Sequence, residues 1–339
     1  MPLPPLLRTL LLPLICTLAA AAAPDSLETP GARNAHALLG TLPQHPLVLF
    51  GGADHAAVRG DTWLFDGREW TRHSGGSPSP RTFAATAVDR ERGLAFLFGG
   101  NRVLFGSQRD SATFLSDLWT WDGREWTRLD PPPPHPAPRA EAALAWDPQR
   151  GVLILFGGYG IRNGETQRFG DTWEWNGQRW RLRTTEGPPP QNGASLAYHP
   201  GLKTLMLWGQ DADRREGRTW RWGGDAWQRL DNGDAPRRYN SAMAVDPRRG
   251  DLIRFGGWTG ADRGGETWVW RTTGWVRVAS DGPSPRNHAV MAWSESLDAL
   301  VLYGGHDGER VFGDLWSWDG RRWTRLRDAE PRPRLDNGH

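Results

Sequence analysis

Two groups of residues in this 339-residue chain have types and spacing that carry chemistry. The first is a series of arginines, Arg33, Arg81, Arg139, Arg238 and Arg286, each with an acid further along: Asp61, Asp117, Asp171, Glu266 and Asp314. Guanidinium groups around one ring would bind an anion, whereas guanidinium–carboxylate pairs would hold structure. A comparison within the chain separates the two. Where the series has Gln191 in place of arginine, the acid is gone as well, replaced by Arg218. Joint loss is the mark of pairing, because removing one partner of a buried pair costs about 3–5 kcal/mol. Structural pairs are therefore expected at Arg33/Asp61, Arg81/Asp117, Arg139/Asp171, Arg238/Glu266 and Arg286/Asp314.

The second group is acid–base. One recurring position holds Phe83, Glu141, Gly193, Asn240 and His288, of which Glu141 and His288 are the acid–base candidates and Asn240 a further polar one. These positions read as inner residues of first strands. The repeat sets Glu141 and His288 nearly opposite each other across a channel, which argues against a joint role. The nine histidines show no metal-ligand spacing. Neither a nucleophile elbow nor a phosphate-binding glycine loop is present. No metal and no cofactor is expected.

The elements that must position these residues come from a repeat. A seven-residue tryptophan spacing recurs six times, at Trp63/Trp70, Trp119/Trp126, Trp173/Trp180, Trp220/Trp227, Trp268/Trp275 and Trp316/Trp323. A further aromatic follows the first of each pair by two residues: Phe65, Trp121, Trp175, Trp222, Trp270 and Trp318. Ahead of each cluster lies a run that alternates small and large residues, as a strand does. An apolar run follows it and ends in paired glycines, Gly51/Gly52, Gly99/Gly100, Gly157/Gly158, Gly256/Gly257 and Gly304/Gly305. Asp66/Gly67, Asp122/Gly123, Asn176/Gly177 and Asp319/Gly320 read as two-residue type I′ hairpin turns. Each unit is thus a four-stranded antiparallel sheet that cannot bury both faces alone, so six of them stack into a ring. The fold expected is all-β, a six-bladed β-propeller over residues 30–327. Unit four, with Gly209/Gln210 for the paired glycines, is the divergent blade.

An arginine at the unit start, an apolar strand ending in two glycines and spaced aromatics ending in tryptophan resemble the kelch motif. The Leu-Phe-Gly-Gly, Asp-Thr-Trp and Trp-Asp-Gly variants resemble the bacterial exported kelch-repeat proteins of the galactose-oxidase-like superfamily. The resemblance implies fold firmly and function weakly, because such propellers serve many functions. It also brings up copper oxidases, whose centre needs a tyrosine cross-linked to a cysteine. With Cys16 the one cysteine, inside the leader described next, and four tyrosines at repeat or loop positions, that radical centre cannot be built.

Composition agrees with this scaffold. Hydrophobic content is only 38%, but 21 tryptophans supply an aromatic core, each removing about 150–250 Å² from water when buried. Net charge is +2, Lys203 is the one lysine, and no basic run interleaves with aromatics, so no nucleic-acid partner is expected. Arg8 precedes an apolar run over residues 10–23, too short to span a bilayer and typical of a secretory signal. Residues 1–23 are read as a signal peptide and the protein as secreted or periplasmic, with no integral membrane segment after cleavage. Residues 328–339 are read as a flexible tail.

Alternating strands put the loops after the paired glycines on one face. The longest of these are residues 101–116 and 159–170. Variable loops on a rigid frame concentrate binding residues. The candidates there are His55, Arg59, Arg102, Arg109, Tyr159, Arg162, Arg168, Asp211, Trp258, Arg263, His306 and Arg310, with Tyr159 and Trp258 read as exposed aromatics. The expected function is a non-catalytic scaffold recognising a glycan, peptide or protein partner on that face. The alternative is a carbohydrate-active enzyme similar to the kelch-type sialic-acid mutarotases.

Overall fold

The short apolar and alternating runs fold as strands of three to eight residues. The structure, a computed structural model, describes residues 29–40, 47–104, 110–210, 216–230, 236–272 and 274–327. The segments read as signal peptide and tail lie outside these residues, as do Arg109 and Asp211. The strands form six four-stranded antiparallel sheets, each built from the strands of one repeat unit among the described residues. Blade three carries an additional hairpin, Tyr159–Arg162 with Glu165–Arg168, made from the long loop. The first strands are Ala37–Leu39, Ala85–Asp89, Ala143–Asp147, Ser195–His199, Ala242–Asp246 and Val290–Ser294. Each lies against the next and the sixth lies against the first, closing a six-bladed β-propeller. Among the described residues no helix is long and apolar enough to cross a membrane.

The aromatic repeat is the mortar. In every hairpin the third aromatic pairs directly with the second tryptophan, from Phe65 with Trp70 to Trp318 with Trp323, at ring separations of 4.9 to 5.7 Å. That second tryptophan then meets an aromatic on the second strand of the preceding blade. The contacts are Phe50–Trp126, Phe98–Trp180, Phe156–Trp227, Trp208–Trp275, Phe255–Trp323 and, closing the ring, Tyr303–Trp70. Four of these indoles also donate to a threonine of the preceding blade: Trp126 to Thr62, Trp227 to Thr172, Trp275 to Thr219 and Trp323 to Thr267, at 2.7 to 3.1 Å. In blade two that threonine is Leu118, and the Trp180 indole N–H has no partner among the described residues.

The hairpin tips differ from the two-residue turns expected. Phe65 pairs with Trp70, so the loop is four residues long, and of Asp66 and Gly67 only the glycine has a positive φ, +103°. The Asp66 carboxylate accepts the backbone N–H groups of Arg68 and Glu69 at 2.7 and 2.8 Å. Two amides satisfied by one side chain favour this wider loop over a type I′ turn. The paired glycines have a separate purpose. Gly51, at φ +66°, lies where a Cβ would come within 2.8 Å of the Arg81 carbonyl oxygen, so the next blade's unit start docks there. The Gly52 N–H donates to the same carbonyl at 2.9 Å.

Candidate functional site

Ahead of each first strand one residue adopts the left-handed conformation. These are Ala35, Phe83, Glu141, Gly193, Asn240 and His288, with φ between +50° and +69°. Only glycine takes this geometry without cost; for other residues it is worth roughly 1–2 kcal/mol of strain. A closed circle of backbone hydrogen bonds holds them there. Each N–H donates to the carbonyl of its counterpart one blade back, and Ala35 completes the circle on His288, at 2.9 to 3.2 Å. This corrects the strand placement expected from sequence. The residues precede the strands and form the floor of a cavity on the paired-glycine face.

That cavity is a bowl of about 810 Å³. It brings Glu141 and His288 together, contrary to the expectation from their opposite blades: Glu141 Oε1 lies 3.8 Å from His288 Nε2. The circle is tight enough for opposite side chains to meet at the axis. Their side chains are 7% and 12% exposed.

Two matching relays orient this pair. Arg168 Nε donates to Asn192 Oδ1 at 2.8 Å, and Asn192 Nδ2 donates to Glu141 Oε2 at 2.6 Å. Arg263 Nε donates to Asn287 Oδ1 at 2.9 Å, and Asn287 Nδ2 faces His288 Nδ1 at 3.2 Å. An arginine Nε only donates, so it fixes which end of each amide faces the floor. His288 Nδ1 therefore accepts from Asn287, and His306 Nε2 stands 3.0 Å from the same nitrogen. The His288 proton then sits on Nε2, towards Glu141. Burial, then His306 and Arg263, pushes the His288 pKa down to about 3. Burial and Arg263 push His306 down to about 4. Both rings are neutral at pH 7.

Three arginines line the bowl, Arg168, Arg237 and Arg263, and among the described residues none forms an ion pair with an acid. Arg168 and Arg263 occupy the same repeat position, two blades apart, bridged to Tyr159 and Trp258 respectively. Trp258 and Tyr239 meet edge to face at 5.2 Å and form an aromatic wall.

The remaining sequence candidates divide. His55 is exposed at the bowl, and His306, Trp258 and Arg263 line it. Arg59 is ion-paired with Asp54. Arg102, Arg162 and Arg310 are exposed but do not line the bowl. Tyr159 corrects the reading as an exposed aromatic. It is 6% exposed and packs edge-on against Phe114 in a cluster with Phe83 and Ala140, while still lining the bowl. Asn192, Asn287 and Arg237 are site residues that the sequence alone does not single out. The signal available was an asparagine after the unit start in blades four and six, each in reach of an arginine from the previous blade.

The unit-start arginines do not face the bowl. Arg33, Arg81, Arg139 and Arg286 contact Asp61, Asp117, Asp171 and Asp314 at 2.6 to 2.9 Å, and each side chain is 1% exposed. The same four carboxylates accept the indole N–H two residues on at 2.7 to 2.8 Å. Burial opposes their ionisation. The arginine's hydrogen bonds and charge outweigh it and hold each carboxyl below its ordinary range. In blade five Glu266 lies 3.4 Å from Arg238, and the Trp268 indole N–H has no partner. In blade four Gln191 Oε1 takes the Gln210 N–H at 2.7 Å instead.

Among the described residues no group of three histidines, cysteines or acids is placed to hold a metal ion. The chain matches the KLHDC2/KLHL20/DRC7 Kelch-repeats domain over residues 15–209.

Proposed function

The chain belongs to the kelch-repeat family, whose propellers commonly serve as protein-interaction scaffolds, and from that premise we propose that it is a non-catalytic scaffold that seats an anionic partner in the bowl. The partner is a glycan, a peptide or a protein segment. One observation carries the reading: Arg168, Arg237 and Arg263 line one cavity, none of them forms an ion pair among the described residues, and two are pre-oriented by asparagines. Unpaired, oriented guanidinium groups in a concave site are made for carboxylate, sulfate or phosphate. The frame holding them is rigid, so binding costs little ordering.

Glycan and peptide arrays probed with the wild-type chain and with Arg168→Ala/Arg263→Ala test this. Signals that disappear in the double variant support the bowl. Signals that persist there move the site elsewhere. The apolar run at residues 10–23 supports export before the chain meets its partner. N-terminal sequencing of the protein recovered outside the cytoplasm tests that, with a mature N-terminus near residue 24 as the expected result.

A second reading, a carbohydrate-active enzyme, is favoured by the 3.8 Å approach of Glu141 to the His288 Nε2–H at the floor. Such a pair can take and return a proton. Turnover of a free reducing sugar that Glu141→Ala abolishes would replace the non-catalytic reading.

A further inference from the structure

The seam between blades four and five gathers buried donors with too few acceptors. From it we infer a second binding site, apart from the bowl, for a small monovalent anion of the halide class held by Arg254, Arg238 and Trp268. Arg254 is 0% exposed. Among the described residues its three nitrogens have no hydrogen-bond partner, and neither have Arg238 Nε and Trp268 Nε1. A guanidinium or an indole N–H only donates, so none of these groups can satisfy another. Two guanidinium groups share one acid, Glu266, which lies 3.4 Å from Arg238. One positive charge is left over. The rings of Trp208 and Trp275, 3.9 and 5.0 Å from the Arg254 guanidinium, attract it without neutralising it. A buried charge is costly until a counter-charge meets it.

Blade five departs from its equivalents at three neighbouring places, and each departure adds a donor, frees one or opens room. Arg254 stands where the other five blades carry a leucine opposite the first tryptophan. Glu266 stands where four blades carry an aspartate that accepts the indole N–H, so the Trp268 N–H is released. Gly264 stands where Phe169 and Phe312 cover the guanidinium groups of Arg139 and Arg286 at 4.1 and 3.9 Å. The three residues are equivalent because each donates its N–H to the carbonyl of the second paired glycine. Arg238 uses the room: a Cβ on Gly264 would stand 2.6 Å from its Nε. In blades two, three and six that Nε instead donates to the carbonyl two residues back, at 3.0 Å. An anion entering past Arg238 and Glu266, 11% and 28% exposed, must shed its water. A single charge matches the surplus, and a weakly hydrated ion gives up least. A dianion would bring an excess of its own beside Glu266.

Thermal melting at fixed ionic strength, with sodium methanesulfonate replaced stepwise by sodium chloride or sodium bromide, tests the inference. The expected result is a saturable rise in melting temperature of about 2 °C or more, reached at lower concentration with bromide than with chloride. Arg254→Leu removes the surplus charge, and Glu266→Asp supplies a carboxylate to Arg238 and the Trp268 N–H. Each should abolish the halide dependence, so either variant serves if the other does not fold. Any gain in stability from Arg254→Leu should be largest without halide. Arg168→Ala/Arg263→Ala should keep the dependence, which separates the seam from the bowl. A melting temperature indifferent to halide overturns the inference, as does a halide effect that survives in Arg254→Leu or Glu266→Asp. A halide effect lost in Arg168→Ala/Arg263→Ala also overturns it, and would place the ion in the bowl.

Discussion

The guanidinium of Arg254 lies 3.9 Å from the ring centre of Trp208, in the seam between blades four and five, and among the described residues none of its nitrogens has a hydrogen-bond partner. Arg254 sits opposite Trp268 on its neighbouring strand. The residues opposite the first tryptophan in the other blades are Leu49, Leu97, Leu155, Leu207 and Leu302, all fully buried. The seam has adapted in part. Trp208 stands where the other blades carry Phe50, Phe98, Phe156, Phe255 and Tyr303, and a larger ring face attracts a cation better. Ring faces do not replace five lost hydrogen bonds to water. Arg254→Leu is therefore expected to stabilise the protein by about 1–4 kcal/mol, read as a higher denaturation midpoint.

The gain should depend on pH with a definite sign. Burial, and then the charge of Arg238, lowers the Arg254 pKa to about 9. Between that value and the ordinary arginine range the unfolded chain binds a proton that the folded one does not, so wild-type stability rises with pH there. The penalty is complete below about pH 9 and relieved above it. The advantage of Arg254→Leu in melting temperature should shrink between pH 8 and pH 10.5. An advantage constant over that window would show that Arg254 keeps its proton when buried.

The frame was legible because it repeats. Tryptophans seven residues apart, paired glycines and aspartate or asparagine turns are local signals, and six copies of the first, five of the second and four of the third leave one architecture. The floor was not legible, for three reasons. Phe83, Glu141, Asn240 and His288 are held at positive φ by a circle of hydrogen bonds between blades, which no local pattern announces. Glu141 and His288 meet only because that circle is narrow, a distance that blade counting cannot supply. Arg254 hides in an apolar run, as one exception among six equivalents. The arginine–acid pairing was legible, since the joint change at Gln191 and Arg218 is a comparison the sequence makes with itself.

Blade five offers a repair. Four blades use aspartate to bind both the unit-start arginine and the indole two residues on, whereas Glu266 reaches Arg238 only at 3.4 Å and leaves the Trp268 N–H without a partner. Glu266→Asp should restore the arrangement of the other blades. A recovered hydrogen bond to a charged acceptor is worth about 1–3 kcal/mol. The expected result is a higher denaturation midpoint with an unchanged m-value, and a lower midpoint would mean that Arg254 had come to depend on Glu266.

Mild acid should weaken the fold through buried histidines. Burial, and then Arg33, lowers the His36 pKa to about 3, while His288 and His306 fall to about 3 and about 4. Each binds protons in the unfolded chain before it does in the folded one. Stability is therefore complete above about pH 6.5 and is lost as pH falls towards 4. For His36, 4% exposed and edge-on to Tyr303, the loss at pH 4.5 is about 3 kcal/mol. His36→Leu should flatten the fall in melting temperature between pH 7 and pH 4.5. An equally steep fall in that variant would assign the acid sensitivity to the bowl histidines alone.

The structural pairs can be tested with the chain's own alternative, since blade four holds the same place with glutamine. In blade three, Arg139 reaches Asp171 at 2.7 Å and the Gly157 carbonyl at 2.9 Å, and its side chain is 1% exposed. Asp171→Ala alone leaves that guanidinium buried with no countercharge and should cost about 3–5 kcal/mol. Arg139→Gln alone leaves a carboxylate 18% exposed and still bonded to the Trp173 indole, so it should cost less. The double variant Arg139→Gln/Asp171→Ala removes both charges and places at the unit start the residue type blade four uses, where Gln191 accepts the Gln210 N–H without any charge. It should therefore be more stable than Asp171→Ala alone, with a coupling of about 1–3 kcal/mol in a double-mutant cycle. A double variant as unstable as the sum of the two single changes would mean that each partner is held by its other hydrogen bonds and that the pair itself contributes nothing.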